Sequence, residues 1–546
     1  MSARNLLFLL PALVAVLGLS SCDSRRQVDK ATEEGILLLG NKSEPTTMDP
    51  QLATWVSEGN IMRALFEGLV NDHPSEDGVS IPGAAVKWEP NEDFTVWTFH
   101  LRPRATWSDG VPVTAQDFVY SYKRMLSPAF AADYASMLYY IKGAEAYNKA
   151  EPGTVDFSTV GVTALNDLTL QVTLRSPIPF LPEITKHPTW FPVPRHVIEE
   201  YGEMTDRFTD WTKPGNLIGN GPFILKSRRL TQMVAVEKNP RYWDADTVSL
   251  NGIHFFPVIN GYTEARMFRD GLLHKTYTLP AEAIEAAKKD MPDQLRIQPY
   301  IGTRFLRLNT NKKLLNNRDF RKALAYAIDR SLLVEKVTQA GEKPAFGMVP
   351  PFGTYETPVG VGFDPEKARD FLKKANVGER GNFPELTLIT NNSETARRNA
   401  ETYQGMWDKH LGLKVRIEQV DTGTHKSRER SGDYDISASG WIGDFLDPTT
   451  FLDMWRPGDG NNNTNWENPA YSDKLSAAEL IADPAERINT LVQAEQVLMD
   501  DLPIIPIYWY TTKFLVDPAL QNWNPLLLDH QPYKHVKLVP QDRRKN

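Results

Sequence analysis

Tyr434-Asp435-Ile436-Ser437-Ala438-Ser439-Gly440-Trp441-Ile442-Gly443-Asp444-Phe445-Leu446-Asp447-Pro448-Thr449-Thr450-Phe451-Leu452 is the stretch around which the chain is organised. Tyr434, Ile436 and Ala438 alternate with polar neighbours, which predicts a strand. Gly440 predicts a turn. Trp441 and Asp444 follow, three residues apart, and Pro448 ends the run. A flat apolar ring beside a fixed negative charge suits one wall of a pocket. The same residues also suit a core tryptophan beside a solvated loop aspartate, so the rest of the chain has to decide.

At 546 residues the chain is too long for one hydrophobic core and predicts two or more lobes. Its net charge of −8 argues against a nucleic-acid binder, which would show basic clustering. The N-terminus carries Arg4 followed by the apolar run from Leu6 to Leu17, the pattern of a signal peptide over residues 1–21. The run ends Leu19-Ser20-Ser21-Cys22, which resembles a bacterial lipobox with Cys22 as the lipidated residue. Cys22 is the only cysteine, so no internal disulfide can form. Asp23 resembles an inner-membrane retention signal, which favours the inner over the outer membrane on the periplasmic side of the envelope. Residues 22–34 are polar and charged and read as a tether.

In chain order, 36–40 predicts a buried strand and Thr54-Trp55-Val56 a short edge strand. Residues 60–69 predict a helix. Trp97–Leu101 and Leu168–Leu174 alternate as strands. Thr114 is a helix N-cap with Asp117 three residues on. Pro177, Pro179, Pro182, Pro188, Pro192 and Pro194 predict an irregular linker between lobes. Residues 220–225 and 234–240 read as a hairpin and 253–258 as another strand. Phe305–Asn311 starts a second lobe and 320–330 is a helix. Strand 386–390, the helix over 396–411 and strand 414–420 form a β-α-β pattern, which implies a partly parallel sheet. A helix near 484–500 and an apolar run, 504–510, follow.

The chemistry-bearing motifs are missing. There is no phosphate loop with Gly-Lys-Ser/Thr and no Gly-x-Ser-x-Gly elbow. The ten histidines show no metal-ligand spacing, and no cofactor is implied. Carboxylates are abundant enough to leave a secreted carboxylate-pair hydrolase open as an alternative. A secreted, aromatic-rich, two-lobed chain without a catalytic constellation points to binding.

Several segments together are similar to the periplasmic oligopeptide-binding proteins of bacterial ABC importers, in the peptide, dipeptide and nickel cluster of extracellular solute-binding proteins. They are Glu44–Pro50, Leu65–Leu69, Trp97–Arg102, Trp107–Gly110 with Pro112–Ser121, Lys238–Asp244, Arg321–Leu324 with Asp329-Arg330, and Gly440-Trp441 with Asp444 and Pro448. The resemblance spans roughly residues 36–540. It implies an α/β two-lobed periplasmic-binding-protein clamp, a Venus flytrap, with an extra α+β subdomain inserted in the first lobe. Lobe I is then 31–66, 195–301 and 512–546, the extra subdomain 67–194 and lobe II 302–511. It implies a monomeric receptor, not an enzyme, that captures oligopeptides and delivers them to an inner-membrane ABC permease.

The resemblance assigns Asp444 to the ligand ammonium, with Gly440, Trp441 and Ile442 as backbone partners and aromatic wall. Thr54, Trp55 and Val56 match the facing segment that pairs with the peptide main chain. Tyr134, Tyr277, Asn391 and Tyr510 fall at pocket positions. Relatives hold the peptide's carboxylate with basic side chains where this chain has Thr338, Ala396 and Ala438. Arg397, Arg398, Arg428 and Arg430 lie nearby as substitutes. Thr422 replaces a pocket tryptophan, and Ile442 and Gly302 stand where some relatives have a disulfide. The amine end of the ligand is therefore specified while the far end is not. A receptor for a dipeptide, a cell-wall peptide or another amine-bearing solute fits the same residues.

Overall fold

The computed structural model describes residues 25–377 and 383–541. The expected signal peptide and Cys22 lie outside the described residues.

Segment 22–34 is not wholly a tether. Gln27–Glu34 is a helix, with Val28 and Ala31 buried and Gly35 closing it at φ 69°. Val28, Ala31 and Thr32 form one apolar stripe at i, i+3, i+4, which the surrounding charges conceal in a compositional reading. The strand Ile36–Gly40 follows. It pairs in parallel with Gly252–Phe256, which continues antiparallel to Met233–Lys238 and then Phe223–Arg229, the expected hairpin.

A second four-stranded sheet, all antiparallel, is built from Ala85–Pro90, Val96–Leu101, Thr169–Thr173 and Val162–Asn166, in that spatial order. Ala115–Leu126 packs nearby and begins at the expected cap, where the Thr114 N–H donates to Asp117 Oδ2 at 2.7 Å. The proline-rich stretch is not a linker. It folds into the short helix Leu181–Ile184 and the 3₁₀ turn Pro188–Trp190, and Leu181, Ile184 and Trp190 are wholly buried. Proline excludes long elements but suits the first turn of short ones. One continuous core joins both sheets, from Leu37 and Phe255 through Phe99 to Trp190.

The remaining large sheet has six strands. Its centre is Leu295–Leu308, antiparallel to Ile436–Ile442 on one side and to Ile504–Leu515 on the other. The β-α-β reading holds: Leu386–Asn391 and Val415–Val420 pair in parallel across the helix Glu394–Leu411. One face packs Leu306, Leu308, Tyr403 and Trp407, and the other packs Phe305, Trp455 and Leu491. The predicted helix 320–330 is two helices, Arg318–Tyr326 and Arg330–Leu333, because Asp329 caps the second by accepting from the Leu332 N–H.

Strands Leu295–Leu308 and Ile504–Leu515 pair twice, with a break in register between Pro299 and Thr303. Beyond the break, Val516 bridges to Lys275, and Lys275 to Leu39 of the first sheet. Two adjacent chain segments therefore cross between the halves, and the break lies beside the wall that forms the site.

Candidate functional site

One wall is set by Glu58. Residues 54–56 do not form an edge strand, and the helix predicted for 60–69 runs over Val56–Leu65 instead. The cause is the Glu58 carboxylate, which is 1 % exposed. Its Oε2 accepts from the Thr54 and Trp55 N–H groups at 2.9 and 3.1 Å, and its Oε1 from the Thr46 N–H and hydroxyl at 2.8 and 2.6 Å. This fastens the chain before the helix and starts the helix early. The Thr54 carbonyl and the Val56 N–H keep no partner among the described residues. Trp55 and Val56 are 48 % and 43 % exposed beside them.

The opposite wall is the stretch quoted at the outset. It does not turn at Gly440. The strand continues to Ile442, with Gly440, Trp441 and Ile442 opposite Arg304, Thr303 and Gly302. Glycine at 440 answers a close approach, because a Cβ there would lie 2.3 Å from the Tyr510 hydroxyl. Gly302 answers a close approach too, since a Cβ there would lie 2.8 Å from the Trp441 carbonyl oxygen. Trp441 is half-buried, and Phe445, Phe451 and Trp455 are core.

Two aspartates on this wall have opposite circumstances. Asp447 is buried and holds Arg487 through two bonds of 2.7 and 2.9 Å, while accepting from the Thr449 N–H and hydroxyl. Arg487 in turn lies 4.3 Å from the Phe180 ring, which stacks on Phe445 at 5.9 Å. Asp444 has no such support. Its N–H donates to the Thr450 hydroxyl at 3.0 Å, but no cation pairs with its carboxylate among the described residues. Burial pushes this carboxyl up from 3.8 to about 7.

Between the walls lies a cavity of about 220 Å3, lined by Thr54, Trp55, Val56 and Tyr134 on one side and Gly440, Trp441, Ile442 and Asp444 on the other. Tyr134 stacks on His187 at 5.7 Å, and the Asp444 charge pushes its hydroxyl up. Sequence reasoning missed Arg63, His187, Tyr300 and His530, which also line the cavity. Arg63 Nη2 lies 3.0 Å from both ring nitrogens of His530. His187 is pushed down to about 3, by burial first and by the Arg63 charge second. A helical arginine and isolated histidines carry no local signal, so only contact reveals them.

Tyr277, Asn391 and Tyr510 do not line this cavity. Tyr277 sits under Lys42, whose Nζ is 5.7 Å from its ring. Asn391 Oδ1 accepts from the Ser393 N–H and hydroxyl at 3.1 and 2.7 Å, a turn-holding role. Tyr510 sets its hydroxyl where a Gly440 Cβ would lie. Three of the four nearby arginines are held by carboxylates: Arg397 by Glu394 and Glu401, Arg398 by Glu282, and Arg428 by Glu418 and Asp433. Arg430 is exposed. The two walls' segments also touch elsewhere: Lys426 Nζ lies 4.9 Å from the ring of Trp55, and Arg398 bonds Glu282 at 2.9 Å.

Residues 80–463 match the model of the bacterial extracellular solute-binding proteins, family 5 Middle. The chain belongs to this family. It is 35 % identical over 522 residues to the periplasmic oligopeptide-binding protein OppA of Salmonella typhimurium, covering 93 % of each chain. Its fold is similar to the murein tripeptide binding protein MppA of Escherichia coli, with a TM-score of 0.81, 33 % identity, and coverage of 93 % of this chain and 99 % of that one. It is also similar to Haemophilus influenzae OppA in complex with RPPGFSPFR, with a TM-score of 0.80, 29 % identity and coverage of 93 % and 99 %. The family fold is thus the two-lobed α/β clamp that the resemblance implied.

Proposed function

We propose that this family 5 solute-binding protein captures oligopeptides in its cleft and delivers them to an inner-membrane ABC importer from the periplasmic side. The observation that carries the reading is Asp444, which lines the cavity while its carboxylate pairs with no cation among the described residues. An unpaired charge taken from water is costly, and a ligand ammonium supplies the missing partner. At about 4 Å and an effective dielectric near 20, that attraction is about 4 kcal/mol before desolvation. The Thr54 carbonyl and Val56 N–H are the groups left for a peptide main chain. Trp441 and Trp55 give apolar walls, and Ile442 fills the space beside Gly302. Tyr277, Asn391 and Tyr510 are proposed to act around this cavity rather than in it. The peptide binding of the relatives supports this chemistry, which is binding and release without turnover.

The remaining expectations belong to the same reading. Lobe I is proposed at 31–66, 195–301 and 512–546, extended back to the helix at 27, the subdomain at 67–194 and lobe II at 302–511. Cys22 is proposed as the lipid anchor and the protein as a monomer. Isothermal calorimetry tests the function. Free peptides are expected to bind and to be recovered intact, and N-acetylated copies to bind at least 100-fold more weakly. Equal binding of both would refute the Asp444 role, and consumed peptide would refute pure binding.

The sign of the pH dependence follows from the Asp444 carboxyl. Its folded value, about 7, is raised above the ordinary 3.8, so the free site is protonated below that pH. Ammonium capture needs the carboxylate, so affinity is expected to fall up to tenfold per unit below about pH 7. The peptide α-amine, at about 7.7–8.0, loses its proton above that range. A maximum near pH 7–8 is expected in titrations at constant ionic strength, with proton release on binding at pH 6. A flat profile from pH 5 to 8 would contradict it.

A further inference from the structure

Six arginines are buried among the described residues: Arg124, Arg304, Arg307, Arg321, Arg330 and Arg487. Five have evident partners. Arg124 pairs with Asp49 at 2.7 Å, Arg487 with Asp447 at 2.7 Å, and Arg307 with Glu429 at 3.5 Å. Arg321 donates to the carbonyls of Leu315, Asn316, Asp501 and Leu502, and Arg330 to that of Pro506 at 2.6 Å. Arg304 is different. It is 8 % exposed, and its Nε and Nη2 are buried with no hydrogen-bond partner among the described residues. Its surroundings are the phenols of Tyr510, Tyr508 and Tyr403, and no carboxylate pairs with it among the described residues. Neutral phenols accept hydrogen bonds but do not neutralise a guanidinium, whose planar fork matches a carboxylate.

Its position relates it to the cavity. Arg304 stands opposite Gly440 in the register, and the strand that carries Gly440 ends at Ile442, two residues before Asp444. Tyr510 lies between, partly exposed, its hydroxyl against the Gly440 backbone. Gly440 and Asp444 are four residues apart, at most about 13 Å at ~3.3 Å per extended residue, which is no more than a short extended peptide spans.

We propose that Arg304, fronted by the Tyr510 hydroxyl, receives a carboxylate of the bound peptide, the counterpart of the ammonium on Asp444. This rests on the peptide reading above. The carboxylate is either the peptide's C-terminus or an acidic side chain near it, and both present the same group to the guanidinium.

Affinities of tri- and tetrapeptides separate the sources. Each peptide is measured with its C-terminus free or amidated, and with Glu or Gln as its last residue. One of the two neutralisations is expected to weaken binding at least tenfold in the unaltered protein, which identifies the source. In Arg304→Met that penalty is expected to vanish, while affinity for the neutralised peptide stays within threefold and reports an intact site. Tyr510→Phe is expected to reduce the penalty partly, and serves where Arg304→Met does not fold. The proposal is overturned if neither neutralisation matters, or if the penalty survives undiminished in the variants. If no free-amine peptide binds at all, the peptide reading itself fails first.

Discussion

Asp444→Asn is expected to weaken free-amine peptide binding by roughly 100- to 1,000-fold and, at the same time, to stabilise the ligand-free protein. Both effects have one cause. In the complex, the ligand ammonium would be left buried without its partner, and losing one member of a buried pair costs about 3–5 kcal/mol, tenfold in affinity per 1.4 kcal/mol. Without ligand, the carboxylate is the group lacking a partner, and burial raises it from 3.8 to about 7. Each unit of such a shift is about 1.4 kcal/mol. Because Asp444 keeps some exposure to the cavity, we discount this to a gain on the order of 1–3 kcal/mol at pH 8. The gain is full above about pH 7 and disappears as pH falls toward 4, where the carboxyl is neutral in the folded and unfolded chain alike. Urea unfolding of the ligand-free variant at pH 8 and pH 5, beside calorimetry, reads both. A variant that binds like the parent, or one destabilised at pH 8, would remove Asp444 from the role.

The second large effect is expected three residues away with the opposite sign. Asp447→Ala strands the Arg487 guanidinium, 4 % exposed, and removes the acceptor for the Thr449 N–H and hydroxyl. A loss of about 3–5 kcal/mol of stability is expected from the unpaired buried cation. Arg487 also holds the Phe180 ring, which stacks on Phe445, so the damage reaches the contact between the halves. Peptide affinity of the folded fraction is expected to change less than tenfold, because Asp447 does not line the cavity. The midpoint of urea unfolding checks it, and a shift worth less than about 1 kcal/mol would show that the pair is dispensable.

The two aspartates illustrate how legible the site was. Both sit in one short stretch, and local pattern does not separate them. Resemblance to a family singles out Asp444, and contact separates the two: Asp447 has Arg487 from a helix 40 residues on, and Asp444 pairs with no cation among the described residues. The same holds for Trp55 and Val56, expected as a strand. The Glu58 carboxylate claims the preceding N–H groups and starts a helix there. Gly440 reads as a turn residue, yet it lies within a strand, because the pressure on it comes from Tyr510, 70 residues away.

By itself, the sequence determined the elements whose signal is periodic: the strands 97–101 and 386–390, the Thr114–Asp117 cap, the helix near 484–500 and the β-α-β unit. Their period comes from burial of one face, and that is written locally in residue spacing. The ordered motifs added the family and, by resemblance, the aspartate proposed to bind the ligand amine. The tertiary structure alone decided where charges end without partners. Arg63 and His187 face the cavity, the four nearby arginines are paired or exposed, and Arg304 is buried among phenols. Whether a charge is satisfied depends on which distant segments the fold brings within about 3 Å of it, and that is a property of packing rather than of neighbours in the chain.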